Sequence, residues 1–255
     1  LSADPVAYAF YSSDTMEEAY VKLAKFVQPS DVAYLRSFYA NFADRVARIA
    51  HGTQQSIAAS LERTRQTLNT SECTSYLDGL VDFFGVADDI KFTALYVWWP
   101  DQDRIVANPN GPYLLLRVRP YSGESASNAD VVVHEMVHVI SAMQPADQKR
   151  AVSDVVLAAC PDAIELTRRL GVLEEPLATI LGNVEFRRRF EPKRFTWGRS
   201  WYGELWVDLM ARLLYPAVLD GIKCKETVSG RFSADAADLC AIAVIALVAG
   251  RSASM

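Results

Sequence analysis

The segment that most constrains this fold is ADVVVHEMVHVISAM, residues 129–143, which is apolar and carries two histidines. Its large apolar side chains point in nearly every direction around a helix of 3.6 residues per turn. They occupy positions 131, 132, 133, 136, 137, 139 and 140. A helix that is apolar on nearly every side is stable only when neighbours cover it on every side. The sequence therefore predicts a central helix that the rest of the chain must surround.

The residues before this segment show mainly helical patterns. Apolar and aromatic residues recur at three- and four-residue intervals between Ser30 and Gly52, where the glycine is expected to end the helix. Another helix is predicted over about 53–68. We therefore expect the first part of the chain, residues 1–88, to be an N-terminal helical layer.

A change of periodicity near residue 90 indicates a small β-sheet. The runs KFTALYVWWP (91–100) and YLLLRVRP (113–120) are rich in β-branched and aromatic residues and predict two strands. Beyond the central helix, further helices are predicted at about 146–159, 162–170, 174–183, 198–216 and 233–249. These patterns favour a helix-dominated α+β fold with a small sheet, in a single domain that spans residues 1–255.

Charge and hydropathy argue against two classes of partner. The chain has 26 Lys and Arg residues against 31 Asp and Glu residues, a formal net charge of −5. Nucleic-acid binders and polybasic membrane-surface proteins need a positive field. The longest apolar run, residues 239–249, is shorter than the roughly 20 residues that span a bilayer. We therefore expect neither a nucleic-acid partner nor a membrane span.

The histidines of the central segment have the spacing of a metal site. In His134-Glu135-Met136-Val137-His138, one helical turn separates the two histidines, so both rings project from the same face and can bind one Zn²⁺. Glu135 lies about a hundred degrees round the helix from His134, where a carboxylate can take a proton from a water on the metal. The pentapeptide therefore predicts a zinc site with a general base beside it.

This motif is more specific than its length suggests. By chance, on the order of one in a few hundred chains of this size contains the pattern HExxH. The chain has only three histidines, and two of them lie in the motif. The alternative interpretation is a pair of core histidines with an incidental glutamate. The third histidine, His51, lies beside Gly52 and is interpreted as a surface or helix-end residue.

A catalytic zinc site needs a third protein ligand and one open coordination position. No HxxGxxH continuation follows His138, so we expect the third ligand to be acidic. Glu174 and Glu175 are the candidates, because they open the helical phrase LEEPLAT after Gly171. The alternative is that these two carboxylates only stabilise a helix N-terminus through its dipole.

The phrases HEMVH and LEEPLAT together resemble those of the gluzincin metallopeptidases. In that family, HExxH is followed by a second helix with a glutamate ligand, often within a phrase like N-E-G-(aromatic/Leu)-A. The resemblance covers about residues 90–185 and implies a zincin-like domain with its catalytic part in 89–255. It assigns the ligand position to Glu175, with Pro176 where the family has glycine. The chain departs from thermolysin-like members in a longer spacer and at Thr179, which stands where they have an aspartate.

The resemblance implies a zinc-dependent metallopeptidase that acts on peptide or protein substrates. His134, His138 and Glu175 would hold Zn²⁺, which polarises the scissile carbonyl and acidifies its water. Glu135 would take the proton and later deliver it to the leaving amine. Tyr202 is the residue that we expect to donate a hydrogen bond to the developing oxyanion.

Residues downstream of LEEPLAT supply weaker candidates. No histidine follows that phrase, so Tyr202 is chosen as oxyanion donor over Arg199 and Tyr215. Asp208 is interpreted as an exposed helix residue, with orientation of a metal-bound imidazole as the alternative. The basic stretch FRRRFEPKRF (186–195) is interpreted as a solvated loop, with a site for an anionic substrate group as the alternative.

Two other classes of function stay open. One is a non-catalytic binding or scaffold module on a zincin fold, with a vestigial or structural metal site. The other is an interaction protein that uses the N-terminal helices, with an incidental motif. An open metal site with hydrolytic activity would separate the peptidase from both.

The cysteines and the first residues suggest a compartment. The four cysteines form no CxxC pair, which argues against a cysteine-based zinc site and allows two disulfides. If disulfides form, Cys224 and Cys240 are expected to pair across the turn between them. The opening LSADPVAY is interpreted as a trimmed start. We therefore expect a secreted or periplasmic protein.

Overall fold

Helices dominate the computed structural model of the chain. A small sheet lies between the fourth and fifth helices in sequence order, which confirms the predicted helix-dominated α+β fold. No helix in the described part of the chain has the length and apolar character needed to cross a bilayer. The structure describes residues 4–87, 91–98, 106–110, 113–118, 127–159 and 171–234.

Contacts between Cα atoms divide the chain into two compact units. The first unit contains residues 1–66 and 91–128, and the second contains residues 67–90 and 129–255. This division does not follow the boundary near residue 88, because the strands group with the first helices. The single-domain organisation stays a prediction.

The helices of the first unit are α1 (Pro5–Tyr11), α2 (Met16–Leu23) and most of α3 (Pro29–Leu68). α3 is one continuous helix of 40 residues, so the predictions that Gly52 ends a helix and that another begins near residue 53 are wrong. Glycine inside a helix costs about 1 kcal/mol relative to alanine. The helical segments on both sides of Gly52 are long enough to offset that cost.

The sheet of the first unit has three strands, β1 (Thr93–Trp98), β2 (Val106–Asn110) and β3 (Tyr113–Val118). Their order is β1-β3-β2, with β1 parallel and β2 antiparallel to β3. The two predicted strands are confirmed as β1 and β3. The sequence pattern does not indicate β2, because it contains turn residues and Pro109, which an edge strand tolerates.

A buried polar cluster joins α3 to β1 and to Asn128. The hydroxyl of Tyr96 donates to Thr64 Oγ1 at 2.8 Å, and the backbone N–H of Asn128 donates to the same oxygen at 2.9 Å. The side-chain amide of Asn128 donates to Ser60 Oγ at 2.8 Å. The cluster therefore ties the strand β1 and Asn128 to α3 within the first unit.

The second unit is built around α5 (Ala129–Met143), which is the predicted central helix. Nine residues of α5 are buried, among them Val133 and Ile140, which are fully covered. α5 packs against α7 and the π-helix that follows α7. The other described helices of the unit are α4 (Ser71–Phe83), α6 (Ala146–Ala159), α7 (Gly171–Ala178), the π-helix (Thr179–Phe186), α8 (Arg187–Phe190), a 3₁₀ turn (Pro192–Arg194), α9 (Leu205–Cys224) and α10 (Val228–Ala234).

Large apolar side chains from α4, the π-helix, α9 and α10 form the core of this unit around α5. Phe83, Phe186, Met210 and Phe232 are at most 2% exposed. Tyr76 lies in the same core, and its hydroxyl donates to the carbonyl of Leu181 at 2.7 Å. That bond ties α4 to the π-helix.

The helices predicted after the central segment are found with shifted bounds. α6 confirms the helix predicted at 146–159. α7 begins at Gly171, three residues before the predicted start at 174, and Pro176 lies inside this helix. α9 begins at Leu205, later than the predicted start at residue 198. The predictions that fall wholly or mostly outside the described residues are the helices at 162–170 and 233–249.

Candidate metal centre

The structure brings together three side chains that the sequence predicts as zinc ligands. His134 and His138 lie one turn apart on α5, and Glu175 lies on α7. The Nε2 atoms of the two histidines are 3.3 Å apart. Glu175 Oε2 is 3.3 Å from His134 Nε2, and Glu175 Oε1 is 3.4 Å from His138 Nε2. These atoms form a compact group with one ligand atom available from each residue.

The spacing of this group fits the donor set of a zinc site. For zinc–ligand bonds of about 2.0–2.1 Å, neighbouring ligand atoms of a tetrahedron lie about 3.3–3.4 Å apart. The two Nε2 atoms, 3.3 Å apart, match that edge length, and each lies at a similar distance, 3.3 or 3.4 Å, from a different oxygen of the Glu175 carboxylate. Within the described part of the chain, no donor reaches the buried Glu175 Oε2 in hydrogen-bonding geometry. Two imidazoles and a carboxylate in this arrangement could therefore hold a metal ion.

A glycine on the π-helix allows this close packing. A Cβ atom at Gly182 would lie 2.5 Å from both the backbone N and the Cα of His134, a distance that real Cβ atoms essentially never show. The backbone of the π-helix therefore approaches α5 where the first histidine stands, and His134 is only 5% exposed. Sequence reasoning did not single out Gly182, because a lone glycine in an apolar run has no spacing signature.

The two imidazoles change the ionisation of Glu175. Burial by itself would raise the pKa of this carboxyl, but His134 and His138 outweigh that effect and hold its pKa well below its usual range. Glu175 therefore stays a carboxylate, which is the form that binds metal.

The pKa values of two neighbours of Glu175, His138 and Glu135, are raised. Burial alone would lower the pKa of His138, but Glu175 and the charge of Glu135 raise it. Burial raises the pKa of Glu135, and the nearby histidines only partly oppose this. A glutamate with a raised pKa is a better proton acceptor than an exposed one once it is ionised. Glu135 thus has the environment of a general base.

Tyr202, the predicted oxyanion donor, lies against the first histidine. Its ring stacks on the ring of His134, with centroids 5.7 Å apart and an angle of 15° between the planes. Burial, reinforced by the negative charge of Glu175, raises the pKa of Tyr202 to about 12. The phenol therefore keeps its proton near neutral pH and can donate it in a hydrogen bond.

Asp208 holds the segment that carries Tyr202. Its carboxylate accepts hydrogen bonds from the backbone N–H of Trp201 at 3.0 Å and of Tyr202 at 2.7 Å, and from the hydroxyl of Ser200. The interpretation of Asp208 as an exposed helix residue is therefore wrong, because its side chain is engaged by the turn before α9. Asp208 orients Tyr202 rather than an imidazole.

The start of α5 is fixed by arginines from the stretch 186–195. Asp130 is fully buried one turn before His134, and Arg187 Nε donates to its Oδ2 at 2.6 Å. Arg194 lies 3.6 Å from the other carboxylate oxygen. The interpretation of this stretch as a solvated loop is wrong for Arg187 and Arg194, because both lie in helical turns and both pair with the buried carboxylate of Asp130.

A second buried carboxylate, Glu185, completes the arginine network. Arg188 donates to both of its oxygens at 2.7 and 2.8 Å, and Arg189 also donates to it. The hydroxyl of Tyr215 donates to Glu185 Oε2 at 2.9 Å. Burial by itself would raise the pKa of Glu185, but these partners hold it below its ordinary range. Tyr215 is thereby engaged as a structural donor, which leaves Tyr202 as the tyrosine at the candidate metal centre.

The remaining predicted residues do not join the group. Glu174 lies next to Glu175 on α7 and is not part of the clustered ligand atoms. His51 is exposed within α3, in the first unit, rather than at a helix end. Cys224 is an exposed free thiol, and its predicted disulfide partner Cys240 lies outside the described residues.

Comparisons with known proteins identify no relative of this chain. No protein-family model, no curated protein and no solved structure matches the chain. The interpretation of the candidate metal centre therefore depends on its own residues and on their geometry.

Proposed function

We propose that this chain is a zinc-dependent peptide hydrolase of the gluzincin type, with His134, His138 and Glu175 as the metal ligands. The observation that supports this proposal most is that two imidazole Nε2 atoms, 3.3 Å apart, each lie 3.3–3.4 Å from an oxygen of one carboxylate on a second helix. A pair of incidental core histidines would not need a carboxylate from a second helix at these distances.

Each residue around the ligands has a role in this proposal. When bound, zinc supplies Lewis acidity toward a carbonyl oxygen and acidifies water. Glu135 accepts the proton of the attacking water at its carboxylate and returns it to the amine nitrogen as the C–N bond breaks. The Tyr202 hydroxyl donates a hydrogen bond to the oxygen that gains negative charge. Asp208 keeps that hydroxyl oriented through the backbone of residues 201 and 202.

Metal binding tests the ligand assignment. The protein, stripped with a chelator and dialysed, should bind one zinc ion per chain in calorimetric titration and elemental analysis. Glu175→Ala should weaken zinc affinity by more than about 100-fold, beyond the 10–100-fold typical of changes outside the ligand sphere. Glu174→Ala is the matched control and should keep the affinity of the parent.

Two outcomes would contradict this assignment. Zinc retention in both single variants would place the third ligand elsewhere, and loss in Glu174→Ala alone would move it to Glu174. Absence of zinc binding by the parent protein would remove the metal centre altogether.

Hydrolysis tests the catalytic assignment. The zinc-loaded protein should cleave members of a fluorogenic peptide library, and Glu135→Gln should abolish cleavage while keeping zinc, because the amide has the same shape and cannot accept the proton. Near-normal turnover by Glu135→Gln would exclude this residue as general base. Tight zinc binding without cleavage of any peptide would favour a scaffold with a structural metal site.

A further inference from the structure

The N-terminal half of α3 exposes a continuous row of large apolar side chains. Members of this apolar row follow one another at four-residue intervals, with one three-residue step at the end, so they lie along one side of the helix. Their exposed fractions range from 38% to 68%. The apolar row consists of Tyr34, Phe38, Phe42, Val46 and Ile49.

The aromatic members of the row are already ordered against one another. The rings of Tyr34 and Phe38 stack with centroids 6.4 Å apart, and those of Phe38 and Phe42 lie 4.8 Å apart. The guanidinium of Arg45 lies 5.8 Å from the centroid of Phe42. The row is therefore a preformed ridge of the i, i+4 type, the commonest ridge in helix packing.

Such a ridge is costly to leave in water. Monomeric soluble proteins rarely expose contiguous apolar patches of more than a few hundred Å² unless the patch binds something. Five large side chains that are about half exposed offer on the order of 500 Å² per copy. Pairing with an identical ridge would bury on the order of 1,000 Å² in total, the size of a weak and reversible interface.

We propose that this apolar row is a homodimer interface, in which α3 packs antiparallel against α3 of a second copy of this chain. In a two-fold contact the same patch serves both partners, so a residue near the centre of the row faces its own equivalent. Phe42 is the central residue. This inference concerns a surface of the first unit and does not depend on the proposed zinc chemistry.

The distribution of charge along the row selects the antiparallel arrangement. The rings of Tyr34 and Phe38 lie at its N-terminal end, and Arg45 lies on the C-terminal side of Phe42. An antiparallel copy centred on Phe42 brings Arg45 of one chain opposite the part of the row between Phe38 and Phe42 of the other, where cation–π contacts favour association. A parallel copy would set Arg45 beside its own equivalent.

Sedimentation velocity of the full chain tests the dimer. Between about 1 and about 200 µM the wild-type protein should pass from monomer to dimer, with Kd in the micromolar range, because interfaces at the small end of the size range are typically weak and transient. Val46→Glu should raise Kd by at least about tenfold, because it places a charge in the row. Ala47→Glu is the matched control: it adds the same charge to an exposed neighbour about a hundred degrees round the helix and should leave Kd unchanged.

Circular dichroism of both variants establishes that α3 remains helical, so that loss of the dimer is not loss of the fold. A wild-type protein that stays monomeric over the whole range would overturn the proposal. Equal Kd values for Val46→Glu and Ala47→Glu would also overturn it, since the dimer would then use another surface.

Arg45→Ala tests the orientation of the two copies. In the antiparallel arrangement the substitution removes a cation–π contact to the partner and should weaken the dimer several-fold. In a parallel arrangement it would relieve repulsion between two arginines, so a stronger dimer would overturn the antiparallel assignment.

Discussion

The helices α3 and α5 both carry apolar residues at helical spacing, yet their surroundings are opposite. On α5, Val133 and Ile140 are fully buried. On α3, Val46 is 59% exposed, and no residue of the described stretch 31–49 is buried. α5 is apolar around most of its circumference, whereas α3 is apolar on one side. Periodicity therefore predicts that a segment is helical, and the apolar share of the circumference predicts how much of it is covered.

Truncation of a side chain on each helix should give the largest contrast. Ile140→Ala removes a fully buried side chain from the core around α5 and should lower the free energy of unfolding by about 4 kcal/mol. Leu61→Ala on α3 removes a side chain that is 42% exposed and should change it by less than about 0.5 kcal/mol. Urea unfolding at low protein concentration measures the free energy of unfolding of each variant against the parent. Similar losses for the two variants would mean that α3 is covered in solution.

Glycine substitutions should differ in sign between the two regions. Gly182→Ala places a Cβ against the backbone of His134 and should destabilise the protein by about 3 kcal/mol. Gly52→Ala meets no atom within 4 Å on α3 and should stabilise the protein by about 1 kcal/mol, because alanine is the better helix former. Thermal unfolding of the two variants is the measurement. A stable Gly182→Ala protein with intact zinc binding would disprove the close approach of the π-helix to α5.

Ion pairs of the two regions should differ as well. Glu185→Gln weakens the buried network with Arg188 and Arg189 and should cost about 2 kcal/mol at neutral pH, the range for hydrogen bonds between charged groups. Glu17→Gln breaks an exposed pair with Arg36 between α2 and α3. Exposed pairs contribute little to stability, so we expect no measurable change from this variant. Chemical denaturation of each variant against the parent gives the comparison.

The cost of Glu185→Gln should depend on pH with a defined sign. The pKa of Glu185 is lowered in the folded state, so its stabilisation is present above the unfolded-state pKa of about 4.3 and is lost as the pH falls through the folded-state pKa. The difference between parent and variant should therefore be constant from about pH 7 to about pH 5 and shrink in stronger acid. An undiminished difference at about pH 3 would mean that folding does not lower the pKa of Glu185.

The residues that group together at the candidate site could be singled out because short-range patterns carry them. The spacing of His134 and His138 is one helical turn, and Glu175 stands in a phrase with its own helical context. The central position of α5 also follows from its own residues, which are apolar on nearly every side. In each case the informative distance is four residues or fewer.

Other features depend on partners that are distant in the sequence. Arg187 and Asp130 are 57 positions apart, and nothing in either local pattern indicates the pair. β2 contains turn residues and is a strand because β3 lies beside it. The continuity of α3 through Gly52 reflects the summed stability of 40 residues, which a local stop signal does not represent.

The π-helix after Glu175 changes how this sequence must be aligned with others. Its hydrogen bonds join residues five apart instead of four, so the helical phase shifts from Thr179 onward. Position-by-position matching that assumes a regular helix is in step as far as Thr179, the first residue of the π-helix, and falls out of step in the residues that follow it. A search pattern for relatives should therefore fix HEMVH and Glu175, require a glycine where the π-helix meets His134, and allow a one-residue shift between them.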